Sequence, residues 1–411
     1  KNIQQQEGIA DFNVKFDCPS YRPNLKPSVL QCKKAAHAIQ TAKRPIIYAG
    51  GGIVSSGASQ ELRALVKKTG IPVTTTAMGL GAFPSNDPLS LRMLGMHGAV
   101  YANIAINHAD LVIAMGVRFD DRVTGKLAEF CKNAQFIQID IDPTEINKNI
   151  MIDVPIQGDV KQALKILTGY VEPKKDIKPW VKQVNEWKKE FPLEFELKKG
   201  EIVPQSVVSD INKLAAKDAI FSVGVGQHQM WAAQFLDFDE PQNWMCSSGL
   251  GAMGYGLSAA MGAQVAFPKR QVINIEGDGS FLMNIQELQT LKVENIPVKN
   301  IILNNAHLGM VAQWEDRFYK SMRGHTFIGD ANFAEIAHAF GVKSESINDP
   351  KDVIPALKRM LKHNGPYVLD VKYPYNDKSH GHVMPMIPGN HAYLDTCLDE
   401  STTLRDYWKE D

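Results

Sequence analysis

VINIEGDGSFLMNIQELQTLK, residues 272–292, contains the change of pattern on which the fold turns. Its first residues are apolar and β-branched, it reaches Gly277-Asp278-Gly279-Ser280, and apolar residues at helical spacing follow at once. That pattern predicts a buried strand running into a helix, with Asp278 at the strand's carboxyl end, where open α/β sheets bind ligands. Flanking glycines let the backbone turn sharply and approach a phosphate. Asp278 supplies the hard anionic oxygen that Mg2+ prefers. Taken alone, the Gly-Asp-Gly trio is far more often an ordinary turn than a metal site. The next apolar run, VKNIILNN (298–305), ends in Asn304-Asn305, and neighbouring strand ends can aim both oxygens at one ion.

Outward from this stretch the same alternation recurs. Upstream, PIIYAG (45–50), IPVTTT (71–76), DLVIAMG (110–116), FIQIDI (136–141) and VPIQG (154–158) read as strands, with helical patterns such as ASQELRALVKKTG between most of them. Gly70 stands where a helix-terminating glycine belongs, and Pro72 follows. AIFSVGV (219–225), QVINIEG (271–277), VKNIILNN and PYVLDVKY (366–373) repeat the alternation, with NFAEIAHAFG and DPKDVIPALKRML as helices. Composition shifts at about 170–200, where Trp180, Val184, Trp187 and Phe191 recur at helical spacing before Pro192, predicting a helix packed on a neighbour. The expected class is α/β, two doubly wound parallel-sheet domains joined by a linker. The expected divisions are a tail at 1–20, a first domain at 21–170, a linker at 171–200, a second domain at 201–390 and a tail at 391–411.

Bulk composition excludes more than it identifies. Lys+Arg and Asp+Glu both number 45, so charge gives no sign of a nucleic-acid or membrane partner and small-molecule chemistry becomes the expectation. Cys18, Cys32, Cys131, Cys246 and Cys397 are odd in number and contain no CxxC, which predicts neither a disulfide framework nor a zinc site and favours a reducing compartment. No apolar run approaches the roughly 20 residues of a membrane span. KNIQQQEG at the start has neither an apolar signal region nor an initiating Met, so any targeting segment lies outside the sequence.

Spacing around the Gly-Asp-Gly turn is far more specific than the turn itself. Met261-Gly262, five residues, Pro268, four residues and then Ile273-x-Ile275-x-Gly277-Asp278-Gly279-Ser280, with Asn305 27 residues after Asp278, match the thiamine diphosphate signature. LGMHGAVYAN, MGVRFDDRVTGK, FIQIDIDPTEINKN, GVGQHQMWAAQF and NNAHLGMVAQWEDRFYK extend the likeness over almost the whole chain, which resembles the acetohydroxyacid (acetolactate) synthase family. The resemblance implies that Asp278, Asn305 and the backbone carbonyl of His307 hold Mg2+, which clamps the diphosphate. It implies further cofactor contacts from Val225, Gly226, Gln227, His228, Gly251, Gly277, Gly279, Ser280, Leu308, Gly309 and Met310. Met253 would lie beneath thiamine diphosphate, although Met is also adaptable core filler.

In the earlier domain the resemblance implies FAD, performing no net redox. Its contacts would be Gly51 and Gly52; Thr76, Ala77 and Met78; Leu94, Gly95, Met96 and His97; Gly116, Val117, Arg118, Asp120, Arg122 and Val123; Asp140, Ile141 and Asp142; and Gly158, Asp159 and Val160. Read from the residues alone, the Gly50–Gly52 run is a weak nucleotide hint, and Asp140 and Asp142 suit strand capping as well. Arg122 and Trp314 match the mouth of the substrate channel; Arg122 offers a planar fork to a keto acid carboxylate, while a Trp in an apolar helix also suits plain core.

The implied activity decarboxylates pyruvate and joins the two-carbon unit to pyruvate or 2-ketobutyrate, in branched-chain amino acid biosynthesis. The implied assembly is a homodimer or homotetramer with room for a regulatory subunit, in a bacterial cytoplasm or a plastid or mitochondrial matrix. Ser258 departs from the family's usual Pro in the GYGLP run, a change expected to affect only helix geometry. Nothing in these residues corresponds to the family's first domain, which binds the aminopyrimidine; the 411 residues alone are therefore expected to be catalytically incompetent. Pyruvate oxidase, a keto acid decarboxylase and a cofactor-binding chain without turnover stand as alternatives.

Overall fold

The computed structural model describes residues 6–9, 13 and 23–375. The stretches expected as tails, apart from residues 6–9 and 13, lie outside the described residues, as do 376–390, Cys18 and Cys397. Twelve strands among the described residues form two six-stranded parallel sheets. The first contains β1 (Pro45–Ala49), β2 (Val73–Thr75), β3 (Ser90–Met93), β4 (Leu111–Met115), β5 (Gln135–Asp140) and β6 (Val154–Gln157), in the order β3-β2-β1-β4-β5-β6. The second contains β7 (Ile220–Val223), β8 (Trp244–Cys246), β9 (Val272–Gly277), β10 (Lys299–Asn304), β11 (Lys343–Ile347) and β12 (Tyr367–Lys372), in the order β11-β12-β10-β9-β7-β8.

Central strands such as β1, β4, β9 and β10 are buried along their whole length, because helices cover both faces of a parallel sheet. That two-sided burial is why β1 and β4 read as unbroken apolar runs, whereas β9 and β10 combine apolar residues with the buried polar Asn274, Glu276, Lys299, Asn300 and Asn304. Three strands escaped the sequence reading, and all three are edges: β3 (SLRM), β8 (WMC) and β11 (KSESI). An edge strand is short or carries polar residues, so it leaves no apolar run. Gly70 ends the helix Ser59–Thr69 with φ 71, the left-handed conformation expected of it.

The helix expected near 180–191 spans Lys178–Glu190, with Phe191 as its C-cap. Trp180 and Val184 are buried, the Trp180 indole donates to the Pro45 carbonyl at 2.9 Å, and Trp187 packs on Trp180 and on His108. This helix therefore packs into the core beneath the first sheet.

A polar seam brings the two sheets together. The Arg92 guanidinium donates to the carbonyls of Gln234 at 3.1 Å and Leu236 at 3.2 Å and to the Asp237 carboxylate. The Trp244 indole donates to Ala77 O at 2.8 Å, and Gln234 Nε2 to His97 O at 2.8 Å. Leu80 and Met93, from the first half, complete the core of the second. The carboxyl ends of both sheets thereby contribute to a single cleft.

Arg92→Ala would leave these acceptors at the seam without their donor. The variant is expected to lose roughly 2–3 kcal/mol of unfolding free energy, the scale of charged hydrogen bonds. Urea denaturation checks it, and a loss below about 0.5 kcal/mol, the level of an ordinary surface change, would place the strength of the seam elsewhere.

Candidate active site

In each sheet the strand order reverses beside one strand pair, β1/β4 in the first and β7/β9 in the second, the position at which open α/β sheets bind ligands. In the second sheet β7 and β9 deliver their turns side by side. Gly224, Val225 and Gly226 follow β7 and lead into the helix Gln227–Phe235. A Cβ on Gly224 would lie 1.7 Å from Glu276 Oε2, so only glycine allows the two turns this close. Ser280 Oγ accepts from Val225 N at 3.2 Å and Gly254 N at 3.0 Å, tying three turns to one hydroxyl.

Asp278 is buried, and its Oδ1 accepts from Gly279 N at 2.8 Å while Oδ2 accepts from Asn305 N at 3.2 Å. Burial pushes its carboxyl up to about 6 against the pull of these backbone donors. Strand alternation separates the two asparagines at the end of β10. Asn304 turns into the interior and donates to Asp370 and to Ala331 O, whereas Asn305 lines the cleft. Ala306, with φ 62, folds the chain back so that His307 N donates to Asn305 Oδ1 at 3.1 Å. Asp278, Asn305 and His307 line one cleft, and carboxylate, amide and carbonyl oxygens are the donor chemistry that suits Mg2+. Nowhere among the described residues do three or more His, Cys, Asp or Glu gather as a metal cluster.

Beneath the turn, His228 Nε2 lies 3.8 Å from Glu276 Oε2. Burial lowers His228 to about 3 and raises Glu276 to about 8, so near neutrality both are uncharged and the contact is not an ion pair. Above it, a Cβ on Gly279 would meet Leu308 Cδ2 at 2.6 Å and Met253 Cε at 3.3 Å, which places both side chains over the glycine.

The cleft has a volume of 480 Å³ and collects most of the residues expected around the diphosphate. Val225 to His228, Gly251, Met253, Gly277 to Ser280, Asn305 and His307 to Met310 all line it, and so do Arg122 and the half-buried Trp314. Gln229, Met230, Ser248, Val311 and Tyr373 line it too and were missed. Tyr373 directly follows β12, which the sheet order places beside β10, and no local sequence pattern marks it.

The residues expected to hold FAD divide between two places. Ala77, Leu94, Met96, His97, Arg122 and Val123 line the shared cleft. Burial and then the Arg122 charge hold His97 down at about 4. The others, outside the cleft lining, sit at or beyond the carboxyl ends of β1 to β6, and several have local duties. Gly52 and Gly116 are in backbone contact: a Cβ on Gly52 would lie 2.5 Å from Gly116 Cα. Thr76 Oγ1 accepts from Gly79 N, Asp120 from Arg122 N and Asp159 from Gln162 N, each as an N-cap. Asp140 accepts from Asp142 N and Asp142 from Thr144 N, the capping duty left open by the sequence. Gly51, Met78, Gly95, Val117, Arg118, Ile141, Gly158 and Val160 lie in the same turns.

Two family models match the chain in order: "Thiamine pyrophosphate enzyme, central domain" over residues 32–167 and "Thiamine pyrophosphate enzyme, C-terminal TPP binding domain" over residues 224–371. The chain belongs to the thiamine pyrophosphate enzymes. Among curated members of this family it is 47% identical over 97% of its length to acetolactate synthase 1, chloroplastic, of Zea mays, covering 64% of that protein. It is 48% identical to acetolactate synthase 2, chloroplastic, of the same species, also covering 64%, and 47% identical to acetolactate synthase, chloroplastic, of Arabidopsis thaliana, covering 61%. The chain thus spans less than two thirds of the length of these relatives.

Glu276 gives this site a pH signature. Its folded value of about 8 exceeds the ordinary 4.5, so the native state holds the extra proton and stability falls as pH rises towards 8. His228 and His97, lowered to about 3 and 4, act in the opposite sense but only below about 6.5, and Lys299, lowered to about 8, acts above 8. Between pH 6.5 and 8 the metal-free protein is therefore expected to lose roughly 1–2 kcal/mol. Glu276→Gln should flatten that slope in denaturant titrations at several pH values; an unchanged slope would show that the carboxyl ionises freely.

Proposed function

We propose that the chain carries the diphosphate half of a thiamine diphosphate site for acetolactate synthesis, with Asp278, Asn305 and the His307 carbonyl as Mg2+ ligands. The buried Asp278 carboxyl carries this reading: a group that resists ionisation when alone becomes a strong ligand once a divalent cation compensates its charge. The cradle fits a diphosphate. Glycines 224, 226, 277, 279 and 309 form it, and a Cβ on any of them would strike a neighbour within 3 Å. When bound, thiamine diphosphate supplies the electron sink for decarboxylating a 2-keto acid.

The chain's own residues then bind and orient. The amino end of the helix Gln227–Phe235 faces the phosphates, Met253 and Leu308 support the cofactor from the Gly279 side, and neutral His228 adds no charge beside them. Arg122, at the mouth and exposed on 65% of its side chain, pairs with Asp121 at 3.0 Å and is placed to exchange that partner for a keto acid carboxylate. FAD would occupy the turns after β1 to β6. Pyruvate and a second 2-keto acid are the substrates this reading assigns, a plastid location is what the chloroplastic relatives favour, and the homodimer or homotetramer rests on the resemblance alone.

Calorimetry with thiamine diphosphate tests the metal assignment. Asp278→Ala should abolish Mg2+-dependent binding without loss of the folded state, and unchanged affinity would remove the assignment. Acetolactate, and not acetate or acetaldehyde, should be the product from pyruvate when the protein is assayed at its full natural length.

Trp314→Leu should shift the ratio of acetolactate to acetohydroxybutyrate formed from mixed pyruvate and 2-ketobutyrate, while the decarboxylation rate stays near that of the parent. A pocket wall discriminates one methylene by only about 1–3 kcal/mol, so the expected change is one of ratio. A constant ratio would make Trp314 a packing residue.

A further inference from the structure

The side-chain amide of Asn305 lies between two partners that sort its ends. His307 N–H donates to Oδ1 at 3.1 Å, and Nδ2 donates to the Tyr373 hydroxyl oxygen at 3.3 Å. An amide oxygen has two lone pairs, so one remains after the His307 bond, whereas the amide nitrogen has none to offer a cation. The orientation of this one group therefore decides whether Asn305 is a ligand at all.

Tyr373 is well placed to impose that orientation. It is buried, its ring packs edge-on against Trp231 at 6.4 Å, and it follows β12, which pairs with β10 up to Asn304. Two residues on, Tyr375 stacks on the His307 imidazole, with ring centroids 4.8 Å apart and planes 28° apart. The Tyr375 hydroxyl donates to Asp316 Oδ2 at 3.0 Å, and Arg323, which pairs with the same carboxylate at 2.6 Å, lies 4.7 Å over the Tyr375 ring. One tyrosine thus touches each end of the turn 305–307.

We propose that Tyr373 is a positioning residue for the cation site: by accepting the Asn305 Nδ2 hydrogen it leaves Oδ1 for the metal, while Tyr375 braces the same turn through His307. The inference rests on the assignment of Asp278, Asn305 and His307 as cation ligands. A lost brace lowers metal affinity first and affects the diphosphate only through the metal.

The test titrates Mg2+ against thiamine diphosphate binding, followed by calorimetry, in the parent chain, Tyr373→Phe, Asn305→Asp, the double variant and Asp278→Ala. Tyr373→Phe should raise the Mg2+ concentration for half-maximal binding by roughly 3–10-fold, the effect of one neutral hydrogen bond, with cofactor affinity at saturating Mg2+ near the parent value. In the Asn305→Asp background both terminal atoms are oxygens, so Tyr373→Phe should change little further. An unchanged Mg2+ requirement in Tyr373→Phe, beside its loss in Asp278→Ala, overturns the positioning role and leaves the cation site standing. An effect of equal size in the Asn305→Asp background also overturns it, because a general packing role ignores the identity of the ligand atom. Binding that is indifferent to Mg2+ in the parent removes the cation reading, and this inference with it.

Discussion

Asp278 lies at the carboxyl end of β9 with 4% of its surface exposed, and burial raises its carboxyl to about 6 despite four backbone hydrogen bonds that favour the charged form. That balance constrains everything around it. The glycines on either side, the Asn305 amide and the reversed turn at Ala306 all place oxygen or open backbone near the carboxylate, and no cationic side chain pairs with it in the described structure. A site of this kind is costly to charge alone and selective for a small, strongly charged ion. Glu276, two residues earlier in β9, is pushed up to about 8 by the same burial.

The architecture was legible where burial is two-sided. β1 and β4 are apolar throughout, and β9 and β10 carry apolar residues beside a few buried polar ones, so the boundaries of all four followed from composition to within a residue or so. The edges β3, β8 and β11 meet solvent or the seam, and their sequences carry no such constraint. Arg92, at β3, shows what that freedom is used for: with φ 55 and three partners across the seam, it serves the joint between the sheets.

At the site, residues on one turn were readable and those brought in from elsewhere were not. The 27-residue interval from Asp278 to Asn305 spans one helix-and-strand unit, so register alone carries it. Tyr373 reaches the site only because β12 lies beside β10, a sheet order that no local pattern encodes. The residues expected to hold FAD show the opposite limit. Thr76, Asp120, Asp140 and Asp159 each cap a turn or helix, and Gly52 and Gly116 pack backbone to backbone, so their identities are explained by folding before any ligand is considered.

The most direct test of the account is the position of the ion itself. Crystals grown with thiamine diphosphate and Mn2+ in place of Mg2+ should give an anomalous peak bonded to the Asp278 carboxylate, Asn305 Oδ1 and the His307 carbonyl, at roughly the 2.0–2.2 Å of small octahedral cations. A peak that leaves Asp278 uncoordinated, or density for the diphosphate away from the β7 and β9 turns, would contradict it.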